Sequence, residues 1–203
     1  MSTSSPLAIR DHSTDTDLAS RASHGDRAAQ REVFRNLKST VHATLYRILG
    51  SNEHMEDLLQ DAFVEIFRSL ARYRGESKLT TWAGPIAARV AFHYLRSRRV
   101  QRGKEQEARR VPLHVVGSLE DQALHREGLE RVYSVLSGLK PEQHIALALF
   151  MVDGRSIEEI ATLTGVSRVA AKNRISRGRR KLWAAARKDY VLAGYLSEQS
   201  GGE

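Results

Sequence analysis

The sequence predicts an all-α protein made of two small helical domains joined by a flexible linker. Apolar residues recur every three or four positions through most of the 203 residues, the spacing of one helix face. Only four Pro occur in the whole chain, and no segment shows the two-residue alternation of a half-buried strand. The helical period lapses once, between about residues 101 and 121, where Gly, Pro and charges of both signs mix. The expected division is an N-terminal tail (1–16), a first domain (17–100), a linker (101–121), a second domain (122–188) and a C-terminal tail (189–203).

Residues 1–16 are rich in Ser, Thr and Asp and aperiodic, hence expected to be disordered. Leu18 and Ala22 open a helical pattern that breaks at Gly25 and Asp26. Val33, Phe34, Leu37, Val41, Leu45, Ile48 and Leu49 then define a longer helix, stopped by Gly50, with Asn52 placed to cap the next. Met55, Leu58, Leu59, Ala62, Phe63, Ile66, Phe67 and Leu70 form a wide apolar stripe. After a loop, Ser77 can cap a helix running from Lys78 towards Arg99. Pro85 in that helix cannot donate to the Thr81 carbonyl, so a kink or restart is expected there. Past the linker a helix resumes near residue 122, and Pro141 opens another at a position that suits it. Asp153 and Gly154 turn the chain into two further helices, about residues 156–164 and 167–188. Tyr190, Val191, Leu192, Tyr195 and Leu196 are apolar enough for a short docking helix, or for an end that frays.

Composition removes several classes of function. With no Cys there can be no disulfide, thiolate metal site or thiol nucleophile. No stretch approaches the roughly 18 apolar residues of a membrane span, and the N-terminus lacks the pattern of a signal peptide, so a soluble, cytoplasmic protein without membrane insertion is expected. The His residues lie singly, with no HExxH or paired-carboxylate pattern, so neither a metal site, a cofactor nor enzymatic activity is expected. The formal charge of +8 is unevenly placed: residues 89–110 carry a net +6 and residues 168–188 a net +9, leaving −7 for the rest. Two basic patches on an otherwise acidic chain suit a polyanion bound at two places.

The second patch has the grammar of a helix-turn-helix. Ile160, Ala161 and Leu163 face inward, Gly165 makes the turn and Ser167 caps the second helix. Opposite Ala171, Ile175 and Leu182 on that helix stand Arg168, Lys172, Asn173, Ser176, Arg177 and Arg180. Asn can pair with adenine and Arg with guanine in the major groove, while further cations hold phosphates. In the first domain, "MEDLLQDAFVEIF" is apolar on one side and acidic on another, suited to a basic protein surface. The next helix offers Lys78, Thr80, Thr81 and Trp82, a cation, hydroxyls and an aromatic plane that suit an unstacked single strand. Arg89, His93, Arg96, Arg98 and Arg99 follow along it and could track phosphates.

These two stretches, in this order and at this separation, resemble the bacterial sigma factors of the sigma-70 family, specifically the small extracytoplasmic-function (ECF) group that keeps only domains 2 and 4. The resemblance implies a sigma domain 2 bundle followed by a sigma domain 4 helix-turn-helix. It implies that Asp57, Gln60 and Asp61 contact the β′ clamp of core RNA polymerase. Arg74, Gly75, Glu76 and Ser77 would form a pocket for a flipped base of the −10 element, with Lys78, Thr80, Thr81, Trp82, Arg89, His93 and Arg96 along the strand's path. Arg168, Lys172, Asn173, Ser176, Arg177 and Arg180 would read the −35 element. The implied partners are core RNA polymerase, through the β′ clamp and the β flap, promoter DNA, and an anti-sigma factor as one to test for. The chain departs from the family at Ala83-Gly84-Pro85, at His144 where Arg is usual, at Thr164 where Leu is usual, and at Ala170-Ala171. A stand-alone helix-turn-helix regulator is the alternative expectation.

Overall fold

The computed structural model describes residues 13–102 and 121–200. Among them are nine α-helices and no strand: α1 (Ser13–Ser23), α2 (Arg27–Leu49), α3 (Met55–Ser69), α4 (Leu79–Arg102), α5 (Asp121–Ser137), α6 (Pro141–Met151), α7 (Ile157–Thr164), α8 (Arg168–Ala186) and α9 (Tyr190–Ser200). A single 3-10 turn, Leu70–Arg72, follows α3.

In the N-terminal module α2 is the central element, with α1, α3 and α4 packed around it. Its periodic apolar residues Val33, Leu37, Val41, Leu45 and Ile48 are all fully buried. Asp26 caps it, accepting from the N–H groups of Ala28 and Ala29. Gly50 ends it in the left-handed region at φ 73°, where a Cβ would also stand 2.5 Å from the Tyr133 ring. Gly50 therefore answers both to its backbone and to a neighbour from the other module. In the C-terminal module α8 is clasped by α5, α6 and α7, and α9 lies against α5 and α8.

Three expectations need correction. The tail expected over 1–16 already contains helix, since α1 starts at Ser13. Helix α3 begins at Met55 behind His54, which holds a left-handed φ of 61°, so Asn52 is not its cap. Helix α4 runs through Pro85 as one continuous helix, so it does not restart there. The bond lost there falls to Thr81, an exposed first-turn residue whose carbonyl water can reach, while Ala83 and Ala87 anchor the helix in the core on either side. Of the two alternatives for residues 190–196, the structure takes the docking helix: α9 has Leu192 and Leu196 buried and the Tyr195 ring packed on Gly128. The expected linker lies largely outside the described residues.

The two modules are docked on one another, and one buried apolar cluster runs through both. His144, only 4% exposed, places Nε2 2.8 Å from the Ile48 carbonyl; a carbonyl only accepts, so the ring nitrogen donates. The Tyr133 hydroxyl donates to the Arg47 carbonyl at 2.6 Å. Burial pushes the Tyr133 phenol well up, so it remains a donor at any physiological pH. Arg47 pairs with Asp153 at 2.9 Å, and Arg99 donates to the Leu139 carbonyl at 3.0 Å. Leu163 of α7 rests against Gly84 of α4.

Candidate nucleic-acid and polymerase interface

The loop between the 3-10 turn and α4 walls a cleft of about 340 Å³, lined by Arg72, Tyr73, Arg74, Glu76, Ser77 and Trp82. Tyr73, 8% exposed, forms its floor and donates its hydroxyl to the Ser77 carbonyl at 2.6 Å. Trp82 is half-buried, its ring edge-on to Tyr73 with centroids 5.5 Å apart. Arg72, Arg74 and Glu76 are exposed at the rim. Such a cleft presents an aromatic wall to a planar base, with donors and a carboxylate acceptor in reach of its edge.

From this cleft a stripe leads along α4. Lys78, Trp82, Arg89, His93 and Arg96 are spaced by four, seven, four and three residues, so they share one face. The four charged or His members are exposed. Thr80 falls on the opposite side of the helix and Thr81 about a quarter turn away, so the structure does not bring these two hydroxyls to the stripe. Arg98 and Arg99 are also engaged elsewhere. Arg98 reaches Tyr94 at 2.9 Å and Glu53 at 3.2 Å, while Arg99 holds the other module.

On α8, Arg168, Lys172, Asn173, Ser176, Arg177 and Arg180 are all exposed, opposite the buried Ala171, Ile175, Gly178, Leu182 and Ala186. Local chemistry builds the motif. Ser156 and Glu159 form a reciprocal capping box at the start of α7, Gly165 turns the chain at φ 65°, and Ser167 accepts the Ala170 N–H at 3.2 Å. The backbone and side-chain donors of Ser156 hold the Glu159 carboxyl below its ordinary range. Arg168 pairs with Glu158 at 2.6 Å, both largely in water, an ion pair a phosphate can displace at little cost.

The acidic face of α3 is also as expected: Asp57, Gln60 and Asp61 are exposed, above the buried Leu58, Ala62, Phe63 and Ile66. Three groups of residues escaped sequence reasoning. Arg72 and Tyr73 line the cleft, and the signal was an aromatic in an otherwise charged loop. Val64, 40% exposed, sits on the acidic face four residues from Gln60. Trp183, 39% exposed, continues the outer face of α8 beyond Arg180 at helical spacing.

Two family descriptions match this chain in the order of its modules. Sigma-70 region 2 matches residues 33–100, and Sigma-70 region 4 matches residues 129–182. The chain belongs to the sigma-70 family, in its ECF group. It is 33% identical to RNA polymerase sigma factor CarQ of Myxococcus xanthus over 78% of this chain and 89% of that one. It is 30% identical to the ECF RNA polymerase sigma-E factor of Haemophilus influenzae over 82% and 92%. In fold it resembles CnrH, solved with the cytosolic domain of CnrY, at a TM-score of 0.55 and 23% identity over 86% of this chain and 98% of that one. It also resembles RpoE of Bartonella quintana, solved with the anti-sigma factor NepR, at a TM-score of 0.53 and 20% identity over 78% and 97%. This sigma factor is thus a DNA-binding factor for transcription initiation, and ECF sigma factors bind core RNA polymerase and promoter DNA. No described helix is long and apolar enough to cross a membrane.

Proposed function

We propose that this sigma factor directs promoter-specific initiation through three separate faces. The acidic face of α3, with Asp57, Gln60 and Asp61 around Val64, docks on the β′ clamp of core RNA polymerase. The outer face of α8 reads the −35 duplex, and the C-terminal module also meets the β flap. The cleft at Tyr73 and Trp82 captures a base flipped from the −10 element, with the α4 stripe holding the melted strand's phosphates. The observation that carries this division is the aromatic-walled cleft opening onto a basic stripe. A duplex reader needs no such cleft, because paired bases cannot enter it. Binding energy alone drives the process, so the chain itself needs neither catalytic group nor cofactor, and it acts in the cytoplasm beside polymerase. An anti-sigma factor is a further proposed partner, on the likeness to CnrH and RpoE.

The docked modules add a step. Arg89 of the α4 stripe and Arg174, next to the duplex reader Asn173, line a single cleft of about 340 Å³ between the modules. Elements at −35 and −10 lie about 25 base pairs apart, some 85 Å along the helix axis at about 3.4 Å per pair. Both modules can reach their elements only after separating.

Paired substitutions test the division. Gln60→Ala with Asp61→Ala should weaken association with core polymerase while leaving binding to −35 duplex unchanged. Lys172→Ala with Arg177→Ala should do the reverse, and should flatten the salt dependence of duplex binding by about 0.9 in log–log slope for each phosphate contact removed. Loss of both activities in either variant would refute the assignment of separate faces.

A further inference from the structure

The loop that walls the base-capture cleft is held from behind by a segment outside both family matches. The region 2 match begins at residue 33, whereas the first turn of α1 reaches the cleft from residues 15 and 16. Asp15 Oδ2 accepts the backbone N–H of Leu79 at 2.9 Å, across 64 residues of sequence. That N–H belongs to the first turn of α4, which has no intrahelical partner for it. Ser77, the cap expected from sequence, instead offers its carbonyl to Tyr73.

Thr16 makes the second contact. Gly75, at the tip of the loop with φ 71°, lies so close to Thr16 Oγ1 that no Cβ fits between them. The third contact runs through Tyr73, whose phenol is pushed up first by burial and then by the nearby Asp15 carboxylate. The Tyr73 hydroxyl donates to the Ser77 carbonyl, and the Tyr73 ring braces Trp82. Asp15, Thr16, Tyr73, Gly75 and Leu79 thus form one connected support: α1 fixes both the loop and the helix start, and together these set the shape of the cleft.

We propose that Asp15 and Thr16 are positioning residues for base capture, a role that rests on the capture function assigned to the cleft above. They hold residues 73–79 in the shape that accepts a flipped base and touch neither polymerase nor the −35 duplex. Melting by this sigma factor therefore depends on a segment that the family match does not include.

The experiment uses the full chain assembled with sigma-free core polymerase on a promoter mapped with the wild-type protein. Permanganate reactivity of unpaired thymines in the −10 element reports melting, and core association and −35 duplex binding are measured in parallel. Asp15→Ala should lower reactivity about three- to thirty-fold, the population change expected from one lost helix cap. Core association and −35 binding should not change. Asp15→Asn, which keeps an acceptor for the Leu79 N–H, should restore most of the reactivity. Wild-type reactivity in Asp15→Ala would overturn the positioning role alone, as would a parallel loss of all three activities in both variants. No reactive thymines with the wild-type protein would overturn base capture itself, and the positioning role with it.

Discussion

Replacing Tyr133 by Phe isolates one tie between the modules. The ring would still pack on Gly50, so the substitution removes only the hydroxyl that donates to the Arg47 carbonyl at 2.6 Å. In the docked state the variant leaves that carbonyl without its partner in a site where Tyr133 is 7% exposed; in the separated state water satisfies it. A net hydrogen bond is worth about 0.5–1.5 kcal/mol, and an orphaned buried group costs about 1–3. A value of about 1–2 kcal/mol moves the docked-to-separated ratio about 5- to 30-fold. The chain has no Cys, so cysteines placed at the exposed Ser39 of α2 and Ser197 of α9 can carry spin labels without interference. Pulsed electron–electron double resonance on the free protein should show one narrow distance population in the wild type, and a broader, longer population growing in Tyr133→Phe. Identical distance distributions for the two proteins, or a wild type already broadly distributed, would refute the reasoning.

Two further outcomes follow from the same contacts. Gly50→Ala forces an L-residue into the left-handed region and pushes its Cβ into the Tyr133 ring, which should cost about 2–5 kcal/mol by the strain and overpacking terms together; a melting midpoint equal to wild type would contradict this. Glu159 has its pKa lowered in the fold, so its capping contribution is complete at neutral pH and lost only as pH falls through the folded value. Glu159→Ala should therefore lower the melting midpoint at pH 7 more than in strong acid, and an equal drop at both would contradict the capping role.

The helices were legible because their apolar residues repeat along the chain, a local signal. The outer face of α8 was legible for the same reason: once Ala171, Ile175 and Leu182 are placed inward, Arg168, Lys172 and Arg177 can only point out. What sequence reasoning lost depends on partners far away. Residues 13–16 look like a polar tail, yet the helix start has a tertiary anchor in Leu79. That residues 190–196 dock rather than fray depends on the surface of α5, and Gly128 is an unremarkable residue until the Tyr195 ring is laid on it. Pro85 is an isolated clash only in the local sequence: buried alanines on both sides keep α4 one continuous helix through it. Adjacency groups Thr80 and Thr81 with Trp82 in the sequence, whereas helical geometry sends the three in different directions. The docking of the modules turns on pairs such as His144 with Ile48, 96 residues apart, and no periodicity encodes such a pair. Three of the residues at which the chain departs from its family, Pro85, His144 and Thr164, stand at that junction, which gives them a structural setting that sequence comparison alone did not.

Whether this chain redirects polymerase to promoters of its own is tested most directly by transcription from fragmented bacterial genomic DNA. Sigma-free core RNA polymerase is supplied with and without the protein, and RNA 5′ ends are mapped. The expected result is a set of new starts preceded by two shared sequence blocks at a fixed spacing. Absence of new starts, together with absence of core association, would contradict a promoter-directing role and leave a helix-turn-helix protein that binds DNA alone.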